Sequence, residues 1–444
     1  MNAGPLLLLL ALVVGPVGLA REIHVSPAGN DANPGTARKP LASLAAAQQA
    51  ARTYAGREPV TVRLQGGVYY LPETLRFTAA DSGTEKNPVT YAAVRGETVV
   101  LSGGARLELQ WAPLSNGIFQ AHTPPGLAMD QLFVNGARQP MARYPNYDPK
   151  AAQFNGTAAD AISPGRIARW ADPAGGFIHA MHAALWGDMH WRIQGKKADG
   201  SLDYEGGWQN NRSSPMHPEF RFVENIREEL DAPGEWFHDE KTGTLLFLPP
   251  SGVNLSTAVI EVVRLPHLIE FNGTREQPVK FLILRGLTFR HTARTFMENR
   301  EPIQRSDWTV YRGGAVVFQG AENDLVQDCD FDQLGGTAVF VNNWNRHVTV
   351  RGCLIREAGA NGVAFFGDPR AVRSPLFNYS DKFDYAALDR TPGPLTDNFP
   401  ADCLVEDCLI TRSGRFEKQT APVAIDMAER ITVRHCSIYD VPRA

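Results

Sequence analysis

The carboxylates of the C-terminal half are the residues best placed to do chemistry. Glu298, Glu301 and Asp307 fall in one polar stretch, 291–312, and Asp381, Asp384, Asp389 and Asp397 in another, 367–402. Asp426 stands apart from both, on a short apolar run between Ile425 and Met427. Two carboxyl groups facing one bond can work as acid and as base or nucleophile, provided one is kept protonated and the other ionised. That arrangement cleaves glycosidic bonds. Asp426 is the first candidate, with Asp397 as its partner and Glu301 behind it. Aromatic rings bind sugars by covering their C–H faces, and Trp308, Tyr311, Phe377 and Tyr379 lie in these stretches, with Trp344 between them in the sequence. The expected substrate-binding set is Glu301, Trp308, Tyr311, Trp344 and Tyr379. Against this stands the bland alternative that Arg300, Arg305, Arg312 and Arg390 pair with the loop acids at the surface.

Other chemistries find less support. His179, His182 and His190 form a His-x-x-His…His cluster beside Trp186, Asp188 and Trp191. Zinc can use such residues, but Gly187 lies among them and no helical motif surrounds the pair. They read as satisfied histidines, and neither metal nor cofactor is expected. Gly-x-Gly-x-x-Gly, Walker, Gly-x-Ser-x-Gly and Cys-x-x-Cys patterns are missing, so nucleotide, serine-hydrolase and thioredoxin chemistry lack a basis. With 44 Lys and Arg against 48 Asp and Glu, the net charge is −4, without the basic footprint of a nucleic-acid binder.

The elements that must carry these side chains repeat. Leu284-Arg-Gly-Leu287-Thr-Phe289, Val326-Gln-Asp-Cys329-Asp-Phe331, Val350-Arg-Gly-Cys353-Leu-Ile355, Val405-Glu-Asp-Cys408-Leu-Ile410 and Val433-Arg-His-Cys436-Ser-Ile438 share one spacing. Cys329 and Cys353 are 24 residues apart, and Cys408 and Cys436 are 28 apart. Those are periods at which one unit stacks on the next. A second strand recurs as Val316-Val317-Phe318, Ala338-Val339-Phe340, Val363-Ala364-Phe365 and Val423-Ala424-Ile425. Two or more short strands per period, with no long helix between them, predict a parallel β-solenoid. One residue further along the second strand is an outward column of Gln319, Val341, Phe366 and Asp426. Asp426 is its only acid.

The five cysteines fit the same register. Four occupy one ladder position, and Cys403 takes the slot held by Leu282, Val348 and Ile431 in other coils. Stacked equivalents lie about 4.8 Å apart, wider than the Cβ separation of about 3.8 Å in a disulfide. Buried free thiols are therefore expected.

With 444 residues, the chain is long enough for one large repetitive fold or several domains. Leu6–Val14 is almost purely apolar and Gly18-Leu19-Ala20 resembles a signal-peptidase site, so residues 1–20 read as a cleaved secretion signal. After cleavage the protein is expected to be secreted or periplasmic, with no membrane segment. Leu41 to Tyr54 has no Gly or Pro and reads as a helix capped by Ser43. Residues 105–262 break the coil period and hold six of the eight tryptophans, five of them at 170–236.

From these residues a resemblance emerges. Val25-Ser26-Pro27…Gly29-Asn30-Asp31…Pro34-Gly35-Thr36, followed by a helix, resembles the entry of bacterial right-handed parallel β-helix proteins. Leu132-Phe133-Val134-Asn135-Gly136…Ala142-Arg143-Tyr144-Pro145-Asn146, Pro233-Gly234-Glu235-Trp236-Phe237 and Gly286-Leu287-Thr288-Phe289-Arg290-His291-Thr292 are similar to the β-helix glycosidases. Among these the chain is most similar to glycoside hydrolase family 141, which implies fucosidase- or xylanase-like activity on plant-type polysaccharides. Relatives of that kind run on through further coils, so coils beyond Ala444 are expected.

The fold implied is all-β: a right-handed parallel β-helix with an N-terminal capping helix and an inserted β-rich subdomain. Residues 21–104 would hold the cap and first coils, 105–262 the insertion, and 263–444 the remaining coils. The expected activity is extracytoplasmic hydrolysis of a polysaccharide or oligosaccharide. A polysaccharide lyase or a non-catalytic glycan-binding β-helix are the alternatives, and no nucleic-acid partner is expected.

Overall fold

The computed structural model describes residues 20–443 apart from 213, 305, 307, 375 and 379. The secretion-signal reading of the N-terminal residues, together with Asp307 and Tyr379, thus lies outside the described residues.

Three parallel sheets run the length of the molecule. The first orders Arg21–Val25, Val60–Leu64, Val89–Ala93, Leu282–Arg285, Leu325–Gln327, Thr349–Arg351, Leu404–Glu406 and Thr432–Arg434. The second ends in Thr288–Arg290, Asp330–Asp332, Leu354–Arg356, Leu409–Thr411 and Ser437–Tyr439. The third orders Leu75–Phe77, Ile269–Asn272, Val316–Gln319, Val339–Asn342, Val363–Phe366 and Val423–Asp426. This is a right-handed parallel β-helix. Leu44–Arg52 forms the helix at its N-terminal end, and the Ser43 side chain accepts a hydrogen bond from the Ala46 N–H.

The repeated motif spans one corner of each coil. Its third residue is Gly286, Asp328, Gly352, Asp407 or His435, and all five have φ between 53° and 67°. Gly, Asp and His tolerate this left-handed conformation better than β-branched residues do. One such residue per coil turns the chain from the first sheet into the second. The following Leu or Cys then points inward. Val326, Phe331, Val350, Ile355, Val405 and Ile410 are fully buried, and Phe289 stacks on Phe331 at 4.7 Å. Each such buried side chain contributes roughly 1.5–3 kcal/mol.

All five cysteines are free thiols, four of them buried. Each thiol of the ladder donates to a carbonyl one coil earlier: Cys353 to Val326 and Cys408 to Val350, both at 3.7 Å, and Cys436 to Val405 at 3.8 Å.

The third sheet corrects the outward column by one position. Val316 pairs with Val339, not Ala338, and Gln319 pairs with Asn342. Val341 therefore points inward, and Phe340 points outward, where it stacks on Phe366 at 5.5 Å. The run Ala338-Val339-Phe340-Val341 is apolar throughout, so alternation alone could not fix its register. The outward column is Asn272, Gln319, Asn342, Phe366 and Asp426.

The coil stops at Ser102 and resumes at Ile269. Val99–Ser102 pairs directly with Thr288–Arg290, as Leu75–Phe77 does with Ile269–Asn272. Between them, Gly104–Leu107 leaves antiparallel to the returning Ile260–Val263. The intervening chain builds antiparallel sheets, the largest containing Phe177–His182, Asp188–Lys196 and Met216–Glu224. Trp170, Trp191, Ile178 and Val223 share a core of their own. This region leans on the coil through Gln209, whose amide donates to the Phe296 carbonyl at 2.9 Å. Asp188 adds a contact by accepting from the Lys418 N–H at 2.8 Å.

Candidate active site

The outward face of the third sheet is a floor of Val317, Phe340, Ala364 and Phe366. Stretch 291–312 folds over it: Glu301–Pro302 and Thr309–Val310 pair as a small hairpin, and Ile303 and Val310 pack on the floor. A cavity of about 360 Å³ opens between hairpin, sheet and the loop 412–422. Asp426, Gln304, Trp308 and Tyr311 line it, as do Asn299, Glu417 and Gln419.

Asp426 faces outward, half-buried, at the end of Val423–Asp426. Its Oδ2 accepts from the Gln304 N–H at 3.0 Å. Burial pushes its carboxyl up to about 6, opposed by backbone donors and the Arg312 charge. Glu417 is the second carboxyl of the cavity and is only 4% exposed. It accepts from the Thr295 hydroxyl at 3.0 Å and the Asn299 amide at 2.5 Å. Burial pushes it up to about 7, against the charge of His190. Thr295 can turn its hydroxyl to accept instead, so Glu417 keeps partners in both protonation states.

Around these acids the cavity offers groups for a polar ligand. Both ends of the Gln419 carboxamide and the Asn299 Oδ1 are buried without a hydrogen bond among the described residues. The Tyr311 hydroxyl is fixed by His267 Nε2 at 2.9 Å, itself held by Glu270 at 2.7 Å. Burial raises the Tyr311 pKa, so it stays a neutral donor. Trp308 supplies an aromatic wall and carries the Arg443 guanidinium 4.5 Å from its ring.

Of the residues expected from sequence, Asp426, Trp308 and Tyr311 meet in this cavity. Glu301 does not line it. Its carboxylate grips Arg312 at 2.7 and 2.8 Å, and Arg312 in turn donates to the Phe366 and Gly367 carbonyls. Asp397 is elsewhere too: it pairs with Arg275 at 2.7 Å and reaches Arg346 at 3.8 Å. The physical reason is that 367–402 turns back at its end to enter the coil at Pro400–Ala401, on a different corner. Trp344 is at that corner, under Arg346 at 5.2 Å, with its N–H donating to Asn398.

Glu417 was not singled out from sequence. The signal for it was the period of 28 rather than 24 residues at Cys408–Cys436, which lengthens the loop before Asp426. The histidines of the insertion sit just behind it. His179 and His190 share a hydrogen bond at 2.7 Å between their Nδ1 atoms, His190 contacts Asp188 at 3.3 Å, and His179 contacts Glu224 at 3.2 Å. Burial lowers His179 to about 4, so it is neutral at physiological pH.

Comparison with known proteins agrees with the architecture. No family model matches the chain. An 86-residue stretch is 41% identical to the uncharacterized protein YwoF of Bacillus subtilis (strain 168), covering 19% of this chain and 16% of that one. A solved structure described as a glycoside hydrolase superposes with a TM-score of 0.77 at 24% identity, over 95% of this chain and 78% of the other. The complex of XylC with xylose superposes with a TM-score of 0.52 at 11% identity, over 95% and 59%. At these identities the likeness is one of fold, a parallel β-helix.

Proposed function

We propose that this protein is an extracytoplasmic glycoside hydrolase, with Glu417 as general acid and Asp426 as the ionised carboxylate. The observation that carries the reading is two carboxyl groups, both raised by burial, in one cavity with an aromatic wall and the Gln419 carboxamide, which has no partner among the described residues. The more deeply buried Glu417 holds its proton to higher pH and suits protonation of the leaving oxygen. Asp426, steadied by the Gln304 N–H, loses its proton first and suits attack on the anomeric carbon or, as general base, taking a proton from the water that attacks it. The sequence motifs support kinship with glycoside hydrolase family 141 and a plant-type polysaccharide substrate. The apolar N-terminal stretch supports action outside the cytoplasm.

Incubation with a panel of plant cell-wall polysaccharides tests this. New reducing ends on saturated sugars are expected. Unsaturated, ultraviolet-absorbing ends would identify a lyase instead, and binding without product a glycan-binding protein.

A further inference from the structure

Four arginines converge on a second cavity, of about 250 Å³, at the junction of the inserted region and the coil. Three are committed. Arg143 donates to the carbonyls of Pro145, Phe154 and Gly156 at 2.8, 3.1 and 2.8 Å. Arg294 pairs with Glu224 at 2.5 Å and Asp130 at 3.3 Å. Arg415 pairs with Glu357 at 3.1 Å, and Glu357 also holds Arg412 at 2.7 Å. Asp130, Glu224 and Glu357, the carboxylates of the cavity, are thereby occupied.

Arg138 is different. Its Nε and Nη2 are buried and make no hydrogen bond among the described residues. Its guanidinium lies 5.5 Å from the Phe133 ring and 5.1 Å from the Phe416 ring. Burial draws its pKa down to about 10, which still leaves it charged at neutral pH. Buried donors without an acceptor carry an uncompensated desolvation cost. A planar fork of N–H groups in that state matches a planar carboxylate, which it can hold bidentately.

The rest of the cavity suits a sugar ring around that carboxylate. Gln131 gives its amide to the Thr292 carbonyl at 2.8 Å, and its buried Oε1 has no donor among the described residues. That acceptor fits a hydroxyl. Tyr147 also lines the cavity and is 44% exposed, an open aromatic face. Consecutive residues join the two cavities: Phe416 lines this one and Glu417 the other.

We propose that Arg138 and Gln131 form a subsite for a uronate, so that the substrate is an acidic glycan whose carboxylate docks here while a neighbouring linkage is cut at Glu417 and Asp426. The assignment of the cut rests on the hydrolase reading; the subsite itself is tested by binding. The probes are a galacturonate trisaccharide and the same trisaccharide with its carboxyls reduced to neutral sugar, titrated calorimetrically into the protein. The acidic form is expected to bind at least about tenfold tighter, as a charge-assisted bidentate contact implies. Arg138→Met should abolish that preference, Arg138→Lys should keep part of it, and Arg138→Met should leave the thermal midpoint unchanged or higher. Equal affinity of the wild type for both forms overturns the proposal whatever the variants do. So does a preference that survives in Arg138→Met. Preference for the acid in a protein without hydrolytic activity would sink the hydrolase reading and leave the subsite standing.

Discussion

The backbone N–H of Gln304 donates to Oδ2 of Asp426 at 3.0 Å, joining the 291–312 hairpin to the strand that carries the acid. The hairpin's N–H thus favours the ionised form of a carboxyl that burial pushes the other way. On the proposed hydrolase reading Asp426 works ionised and Glu417 protonated, so kcat/KM is expected to be bell-shaped, falling below about pH 6 and above about pH 7. The two limbs belong to the pair jointly. Gln304→Pro removes the donor, raises the Asp426 pKa further and should move the acidic limb up by about one pH unit. An unmoved acidic limb in a folded variant would detach Asp426 from that ionisation.

Glu417 destabilises the fold when charged. Its folded pKa of about 7 lies above the ordinary 4.5, so the folded state binds the proton more tightly than the unfolded one. Its full contribution to stability is present below pH 4.5 and is lost as pH rises through 7. Glu417→Gln should therefore stabilise the protein by about 1–3 kcal/mol at pH 8 and hardly at all at pH 4. Thr295 can turn its hydroxyl to accept from the new amide while Asn299 keeps donating to the remaining oxygen, so the new amide meets an acceptor. Denaturant midpoints at the two pH values check this, and equal shifts at both would contradict it.

The coil was legible because a fixed period repeats a few constrained positions. The corner residue, the inward Leu or Cys and the closing Phe or Ile each recur at one spacing, and each obeys a separate physical demand. Asp426 was legible as the polar end of an apolar strand. The Phe340 register was not, because Val, Phe and Val in succession satisfy either face. Glu417 was hidden because its burial depends on contacts from distant chain: Thr295 and Asn299 of the hairpin stretch hold its carboxyl, and the insertion's Asp188 anchors the next residue. Glu301 misled because its partner, Arg312, lies across the same hairpin.

The cysteine ladder should resist modification in sequence order of exposure. Cys329, Cys353, Cys403 and Cys408 are buried and Cys436 is partly exposed. Burial lifts the Cys403 thiol to about 11, so little thiolate is available. Titration of the native protein with a thiol reagent should label Cys436 first, the others only on unfolding. Cys353→Asp buries an acid without a partner and should cost more than about 3 kcal/mol. Rapid labelling of Cys353, or a stable Cys353→Asp, would break the register.

Gly187 presses against the cavity from the insertion. A Cβ there would lie 1.6 Å from Cγ of Gln419, which lines the cavity. Gly187→Val should displace Gln419, and on the proposed hydrolase reading, where Gln419 contacts substrate rather than the reacting carboxyls, this raises KM by about tenfold with a smaller change in kcat. Unchanged kinetics would remove Gln419 from the binding wall.

The division of labour between the two carboxyls is tested most directly by leaving-group dependence. On an unactivated glycan, Glu417→Gln should lose about 10²–10⁴-fold in kcat, the usual worth of general-acid assistance. On an aryl glycoside whose phenol leaves without protonation it should retain most of its activity. Asp426→Asn should be inactive on both. The account predicts that pattern, and an Asp426→Asn variant that turns over either substrate at the wild-type rate would contradict it.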